Sequence, residues 1–320
     1  MNRLIPAIAS RLVILIPYLW LLFFFLVPFV IVFKISLSDL AISMPPYTPA
    51  VDGIREFLGR LGEFDLENFQ LLMCDLLGYI GVGESLCQSG FAADFYDRPY
   101  LSVAYLSSLK IAFNSTVLAL LVGYPIAYGM ARAPQSLRTT LLLLIILPFW
   151  TSFLIRVYAW IGILKPEGLL NQLLFALGVI DDPLIIMNTN RAVYIGIVYS
   201  YLPFMVLPLY ATLEKMDHSL IEAAQDLGCT PLSAFWKITF PLSLPGVAAG
   251  CLLVFIPAVG EFVVPDLLGG SRTLMIGKTL WSEFFNNRDW PLASAVAIIL
   301  LLILVVPIML FQRAQARAQG

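Results

Sequence analysis

Long apolar runs separated by short charged segments dominate the chain. No charged residue occurs in four of these runs, which cover residues 12–33, 111–131, 192–213 and 290–312. A fifth run, residues 139–164, is interrupted only by Arg156, and a sixth, residues 245–268, contains Glu261 and Asp266. A helix needs about 20 residues to cross a hydrocarbon core of about 30 Å. The pattern therefore predicts an all-α integral membrane protein with six transmembrane helices.

The apolar runs cannot be loops, because lipid offers no partner to an unpaired backbone N–H or C=O group. They also lack the strict alternation of a membrane β-barrel. Composition agrees with this interpretation. Hydrophobic residues make up 60% of the chain and charged residues 12%, against about 45–50% and about 25% in soluble domains. A soluble enzyme and a disordered chain are both excluded.

The net charge and the small number of Cys and His residues limit which partners and ligands the chain is expected to bind. The net charge of -2 gives no basic field for a polyanion, so no nucleic-acid partner is expected. Four cysteines and the single histidine, His218, make a Cys/His metal site improbable, and we expect no metal.

The distribution of basic residues predicts the orientation of the chain. Arginines lie before the first span, in the loop after the second span and after the last span; they are Arg3, Arg11, Arg132, Arg138, Arg313 and Arg317. Loops rich in Lys and Arg stay in the cytoplasm. Residues 34–103 carry ten acidic and four basic residues and should lie on the outer side. Both termini are therefore predicted to be cytoplasmic.

This topology divides the chain into four segments. Residues 1–33 form the cytoplasmic N-terminus and the first helix, which is too long for a cleaved signal sequence. Residues 34–103 form the outer loop, residues 104–313 a core of five further helices, and residues 314–320 a cytoplasmic tail. The outer loop contains Cys74 and Cys87. In an oxidising periplasm they form a disulfide; otherwise they are two unpaired small apolar residues.

The predicted cytoplasmic loop between spans four and five, residues 214–244, is not a simple linker. Residues 219–228 favour a short helix, with Ser219 as N-cap, Glu222 three residues later and Gly228 as a stop. Residues 231–238 favour a second short helix with Pro231 in its first turn. Two short helices joined by a bend, with apolar side chains such as Leu227 and Trp236, predict a compact surface that receives a partner.

The spacing inside this loop resembles a known motif. Glu222-Ala223-Ala224 is followed by Gly228, Ile238 and Phe240-Pro241, as in the EAA loop of ABC-importer permeases, with Phe240 at a position where the family has Leu. The resemblance implies coupling helices that dock on an ATPase subunit. The coupling residues it implies are Glu222, Ala223, Ala224, Gly228, Phe235, Ile238 and Pro241.

Nearly the whole chain resembles the permeases of polyamine importers, the putrescine branch more than the spermidine branch. Residues 147–160, 255–270 and 284–291 are among the similar segments, whereas residues 74–95 make the outer loop longer than in that family. The resemblance implies a type I (MetI-like) permease fold in the bacterial inner membrane, with no cofactor and no catalysis of its own. The implied partners are a second related permease, two ATPases that use ATP-Mg, and a periplasmic polyamine-binding protein.

Two charged residues within the spans need an explanation, because a charge in a bilayer costs roughly 2.5–3.5 kcal/mol on insertion scales. Counted along straight helices, Arg156 and Glu261 lie at similar depth in the outer half. They either form a structural ion pair, or Glu261 contacts a cationic substrate, and both can hold. On one continuous helix, Glu261 would share a face with small residues from Val247 to Ala258 and with Pro265.

Three further residues are candidates for the substrate pathway. Asp266 should lie at the outer mouth, where it is either part of the pathway or a solvated acid at a helix end. Tyr158 and Trp160 flank Arg156 and are candidates for an ammonium cage, although packing or membrane-interface positions explain most such aromatic residues.

Two alternatives to a putrescine importer stay open. The chain is a permease for spermidine or another small cation, or an autonomous secondary transporter. The second alternative is less favoured because no inverted repeat is evident in the sequence.

Overall fold

A computed structural model describes residues 4–50, 59–60, 62, 64–87, 90–217, 219–271 and 273–319. Arg3 and His218, used above in the sequence argument, lie outside the described residues. Five helices are long and apolar enough to cross a membrane, and a bent helix pair makes a sixth span when it is counted as one. The five are Leu15–Ser36, Tyr100–Arg132, Asn190–Glu214, Pro231–Val259 and Trp290–Leu310, and the pair is Gln135–Trp150 with Phe153–Ala176. The prediction of an all-α membrane protein is confirmed.

The chain divides into two compact units, one of which comprises residues 1–102 and 280–302. Its elements are α1 (Leu4–Ser36), the antiparallel strands β1 (Asp39–Leu40) and β2 (Tyr47–Thr48), α2 (Glu67–Ile80), a 3-10 turn (Glu84–Leu86), α3 (Phe91–Asp97) and a π-helical turn (Ser282–Asn286). It also holds the first residues of α4 (Tyr100–Arg132) and of α14 (Trp290–Gln319).

Polar contacts fix the outer-loop helix α2 within this unit. The Asn68 amide donates to the carbonyl oxygens of Ser36 and Ser38, at 3.1 and 2.9 Å. The Asp75 carboxylate accepts from the N–H groups of Leu101 and Ser102, at 3.0 and 2.6 Å, and so caps the start of α4. Burial raises the pKa of Asp75, and these hydrogen bonds oppose the rise.

The outer loop is also closed covalently and carries a cluster of acids. Cys74 on α2 and Cys87 form a disulfide, which is the bridged alternative of the two considered from the sequence. The carboxylates of Asp39, Asp65 and Glu67 lie close enough together to share a metal ion, but all three are exposed. Partial burial, and then the charge of Asp65, raise the pKa of Asp39.

The second unit comprises residues 103–279 and 303–320. After α4 it contains, in order, α5 (Gln135–Ile146), a 3-10 turn (Leu147–Trp150), α6 (Phe153–Leu164), α7 (Leu169–Ala176), α8 (Asn190–Glu214), α9 (Ser219–Asp226), α10 (Pro231–Ala234), a π-helical turn (Phe235–Thr239), α11 (Phe240–Val259), α12 (Val263–Leu268) and α13 (Ile276–Trp281).

Helices α8 and α11 pack side by side in the centre of this unit. Glycines on α11 make the close approach possible. A Cβ atom at Gly250 would lie 2.8 Å from the sulfur of Met205, and one at Gly246 would lie 2.5 Å from the Thr212 hydroxyl oxygen. The small residues at 246 and 250 therefore serve packing within the chain, as small residues do in membrane helix pairs.

Two of the predicted spans are not continuous helices. The predicted third span, residues 139–164, breaks between Trp150 and Phe153, and its two parts are bent by 90°. The depth counted for Arg156 along a straight helix is therefore wrong. The span predicted over residues 245–268, the fifth in chain order, ends at Val259 instead of continuing to residue 268. The chain leaves the helix at Gly260 and enters another at Val263.

Candidate functional site

The loop predicted to couple to a partner begins with α9. The Asp217 carboxylate accepts from the N–H of Ser219 at 2.9 Å, so Asp217 is the capping acceptor, where the sequence had predicted Ser219. The helix ends at Gly228, whose φ of +83° is a left-handed conformation that favours glycine. On its inner side, Ile221 and Ala224 are buried against Ala234.

The second predicted helix of the loop is not a separate element. Thr230 caps α10 by accepting from the N–H of Ser233 at 3.3 Å. The chain then passes through the π-helical turn Phe235–Thr239 directly into α11. The loop is thus one short helix, α9, packed on the base of a continuous helical segment.

The predicted coupling residues divide into a buried and an exposed set. Ala224 is buried, and Phe235 and Ile238 are half-buried. The Phe235 ring contacts the rings of Tyr124 and Tyr128, with centroids 5.7 and 5.6 Å apart. The exposed set is Glu222, Ala223, Gly228 and Pro241. Large apolar side chains also exposed on this surface are Leu220, Leu227, Leu232 and Trp236.

A cavity of about 400 Å³ lies beside the break that ends α11. Aromatic side chains form much of its wall, and the polar groups at its lining come from three separate elements. The lining residues are Phe149, Phe153, Arg156, Ser200, Tyr201, Phe204, Pro257, Gly260, Glu261, Phe262 and Val263. The structure therefore brings Arg156 and Glu261 to one site, although they are 105 residues apart in the sequence.

Glu261 occupies the break itself and is 7% exposed. One carboxylate oxygen accepts from the N–H groups of Val263 and Val264, at 3.0 and 3.3 Å. The other accepts from the Tyr201 hydroxyl. Glu261 thus lies outside any helix and caps α12, so the predicted helical face that joined it to Pro265 is wrong. Val254 and Ala258 of that face are buried on α11, whereas Pro265 is buried on α12.

Arg156 lines the same cavity and does not form the expected ion pair. Within the part of the chain that the structure describes, no salt bridge joins Arg156 to Glu261. The guanidinium lies over the rings of Phe149 and Phe153, 5.3 and 5.7 Å from their centroids. Its Nε is buried without a hydrogen-bond partner. Cation–π contacts therefore hold the guanidinium at the aromatic wall.

The other candidates from the sequence lie away from the cavity lining. Tyr158 is exposed, and Trp160 packs edge-on against Tyr199 with centroids 5.3 Å apart. Asp266 is exposed and forms an ion pair with Lys278, with 3.4 Å between its carboxylate oxygen and the Lys278 Nζ atom. Asp266 is thus an exposed acid near the end of a helix. Tyr158 and Trp160 are not among the lining residues and do not form an aromatic cage around the cavity.

Of the eleven lining residues, the sequence analysis named only Arg156 and Glu261; the nine that it missed include Phe149, Ser200 and Phe204. The only local signal for Ser200 was Pro203, three residues further along the continuous helix α8, since apolar segments that contain proline often lie at binding sites. For Phe149 and Phe204 no local signal existed, because their approach depends on the bend before α6.

The chain is similar in sequence to one protein family and to named permeases within known transport systems. A family described as "Binding-protein-dependent transport system inner membrane component" matches residues 119–319. The spermidine/putrescine transport system permease protein PotB of Escherichia coli K12 is 46% identical over 227 residues, which cover 70% of this chain and 82% of the relative. PotB of Haemophilus influenzae is 37% identical over 305 residues, 95% of this chain and 93% of the relative.

A solved structure supports the fold. A chain of a bacterial ABC transporter involved in the import of the acidic polysaccharide alginate superposes with a TM-score of 0.60 at 15% identity, and the match covers 100% of this chain and 99% of that one. At this identity the likeness concerns the fold alone. The chain has the fold of type I importer permeases, as the sequence predicted.

Proposed function

The chain belongs to the family of binding-protein-dependent transport system inner membrane components, and on this basis we propose that it forms one half of the transmembrane pathway of an ATP-driven polyamine importer. The observation that carries the proposal is the similarity of the chain to permeases named for spermidine and putrescine, which align with up to 95% of the chain. As a family member, the chain is a multi-pass protein of the bacterial inner membrane and a non-catalytic transport subunit.

The partners in this proposal are those of a binding-protein-dependent machine. A second related permease completes the pathway, two ATPase subunits hydrolyse ATP-Mg, and a periplasmic protein delivers the polyamine. The chain itself binds no cofactor. We place the loop of α9 and α10 in the cytoplasm, because the arginines that precede the first span and follow the second and last spans assign that side.

In the proposed mechanism, α9 is the element that the ATPase moves. Its exposed surface offers the apolar side chains Leu220 and Leu227, which a protein partner would bury, and the carboxylate of Glu222. Its inner surface rests on Ala234, at the base of the segment that continues into α11. The closing of the ATPase dimer therefore displaces α11, and this displacement reaches the break at Gly260.

The cavity at the break supplies chemistry that suits an ammonium group. Glu261 contributes a negative charge close to a wall that contains the rings of Phe153 and Phe204, and ammonium groups bind to such rings. Intramembrane carboxylates are usually functional, because they are costly to bury. We place the polyamine's passage at this cavity, with Glu261 as the charge that attracts it.

Putrescine and spermidine are both compatible with the cavity. The sequence analysis favoured the putrescine branch, whereas the relatives above are PotB permeases, which are named for both spermidine and putrescine. The resemblance implies that the periplasmic binding protein carries out much of the selection. We retain putrescine as the first passenger to test.

The experiment measures ATP-dependent uptake of labelled putrescine by this chain, reconstituted with its partner permease, ATPase and binding protein. Unlabelled spermidine serves as the competitor. Uptake that a tenfold excess of spermidine barely reduces supports a putrescine importer, and uptake that spermidine abolishes supports a shared or spermidine-preferring one. A complex that hydrolyses ATP when the binding protein is added, yet moves neither polyamine, would contradict the proposal.

A further inference from the structure

We propose that Ser200, on α8, is a contact residue for the passenger, and that its hydroxyl oxygen accepts a hydrogen bond from the passenger's ammonium group in the cavity. The proposal rests on the proposed function and adds a residue that the sequence did not indicate. It assigns the passenger's amine end to a neutral acceptor beside Glu261, instead of to the carboxylate alone.

Ser200 combines two properties that rarely occur together. It is 3% exposed, and its Oγ has no hydrogen-bond partner among the described residues. It also lines the cavity. Buried hydroxyl groups in proteins are nearly always hydrogen-bonded, because an unpaired one loses its bonds to water without replacement. Because its Oγ is covered in this structure, the Ser200 side chain must turn toward the cavity to bind a donor that enters it, and turning breaks no existing hydrogen bond to a described residue.

A second serine shows that the cavity, and not burial, distinguishes Ser200. Ser115 on α4 is 0% exposed, and its Oγ likewise has no partner among the described residues. However, Ser115 is not among the residues that line the cavity. The two serines thus share residue type, burial and a hydroxyl without a partner among the described residues, and they differ in that only Ser200 lines the cavity.

The hydrogen bonds that Glu261 already accepts explain why the passenger's ammonium group needs another acceptor. Its two carboxylate oxygens already accept from the Tyr201 hydroxyl and from the N–H groups of Val263 and Val264. A protonated amine carries up to three N–H donors. Glu261 provides charge for it but few free acceptor positions. The hydroxyl oxygen of Ser200, one residue before Tyr201 in the chain, provides an acceptor on the same helix.

Arg156 makes this site a weak one, which suits transport. Its positive charge lines the same cavity, so a second cation that enters is repelled as well as attracted. A transport site must bind its passenger well enough to admit it and weakly enough to release it. In this cavity of about 400 Å³, the hydroxyl of Ser200 orients an ammonium end without holding it tightly.

The test compares Ser200→Ala with the matched control Ser115→Ala in the complete importer in proteoliposomes. Putrescine uptake and ATP hydrolysis are measured together, with saturating binding protein. We expect Ser200→Ala to lower uptake by about tenfold or more, the effect of losing one hydrogen bond to a charged group. ATP hydrolysis should stay unchanged, so that about ten times more ATP, or more, is used per putrescine. Ser115→Ala should leave both rates within about twofold of wild type, since replacing an unpaired hydroxyl by an apolar group is nearly neutral.

Two results would overturn the proposal while leaving the importer function intact. Equal uptake by the two variants would mean that Ser200 does not contact the passenger. A parallel fall in uptake and ATP hydrolysis in Ser200→Ala would mean that the hydroxyl acts on packing. A wild-type complex that hydrolyses ATP but moves neither putrescine nor spermidine would instead contradict the proposed function, and this inference with it.

Discussion

The two ends of α11 are built in opposite ways. At its start, α10 and a π-helical turn run into the helix without interruption, and the neighbouring helix α9 presents exposed apolar side chains such as Leu227. At its other end the helix stops at Val259, the backbone turns away at Gly260, and the carboxylate of Glu261 is almost completely buried. One end offers a surface, and the other lines an open cavity.

This difference suggests a division of roles along a single helix. A continuous segment with a small helix packed on its base transmits a displacement, because no hinge absorbs it. A break that is held by hydrogen bonds to one carboxylate can change its conformation when those bonds are exchanged. Interrupted membrane helices place polar groups at binding sites in other transporters. Changes at the start should therefore affect coupling, and changes at the break should affect passage.

Reversing the charge at the exposed end should have the largest effect. We expect Glu222→Lys to lower ATP-dependent uptake by roughly 20-fold or more, the loss typical when one partner of an interfacial charge pair is removed. Capture of the ATPase by the purified chain should fall with it, while membrane insertion stays normal because the side chain is exposed.

Glu167→Lys is the matched control for this charge reversal. Glu167 is exposed and lies in the turn before α7, away from the coupling surface. Its variant should retain the ATPase and at least half of the uptake. Normal ATPase capture by Glu222→Lys would break the assignment of coupling to this end of α11.

The buried end should respond with a smaller loss of a different kind. In Glu261→Gln the amide oxygen can still accept from Val263 and Val264, so the cap of α12 persists while the charge is removed. We expect uptake to fall about fivefold, since a charge-assisted hydrogen bond to the passenger becomes a neutral one that is about 1 kcal/mol weaker, with ATP hydrolysis retained.

Glu261→Ala separates the charge from the cap. It removes the hydrogen bonds to α12 as well, so it should also lower the melting temperature by about 2–4 °C, equivalent to about 1 kcal/mol for a lost cap. Full transport by Glu261→Gln would exclude a passenger contact and leave Glu261 with a structural role.

Backbone packing at the break gives a third effect, which concerns the stability of the chain and not its transport rate. A Cβ atom at Gly277 on α13 would lie 2.3 Å from the carbonyl oxygen of Gly260 and 2.7 Å from that of Glu261. Because backbone cannot rotate away, Gly277→Ala should lower the melting temperature by about 3–6 °C, in line with an overpacking cost of about 1–3 kcal/mol.

Gly129→Ala on α4 is the control for Gly277→Ala, since no heavy atom lies within 4 Å of its added Cβ. That variant should be as stable as wild type or slightly more stable, because alanine favours a helix over glycine. Equal melting temperatures for the two variants would mean that the break tolerates displacement at no cost.

The sequence predicted the straight spans well and the broken ones poorly. Residues 192–213 were predicted as a span, and α8 runs from Asn190 to Glu214, because charged or polar residues bound the apolar run on both sides. Hydropathy carries no information about the direction of the backbone. The 90° bend before Phe153 was therefore invisible to it, although Pro148 and Gly260 are local signals of interruption.

Of the candidate site, the sequence predicted only the two charged residues. Arg156 and Glu261 are conspicuous because a charge in an apolar run is rare, and the structure places both at one cavity. Their aromatic and hydroxyl neighbours were missed, since which faces of α6 and α8 meet there depends on the bend and on helix rotation. Aromatic residues next to Arg156 in sequence, such as Tyr158, proved to point elsewhere.

The smallest effect is expected at Asp266, which follows the buried carboxylate by five residues but is exposed. Its ion pair with Lys278 spans 3.4 Å, and the two side chains are 57% and 27% exposed. Such pairs contribute about 0–1 kcal/mol, so Asp266→Asn should change uptake by less than about twofold, measured beside Glu261→Gln in the same proteoliposomes. A loss as large as that of Glu261→Gln would instead place Asp266 in the passage, and the outer mouth would then share the work of attracting the cation with the buried end of α11.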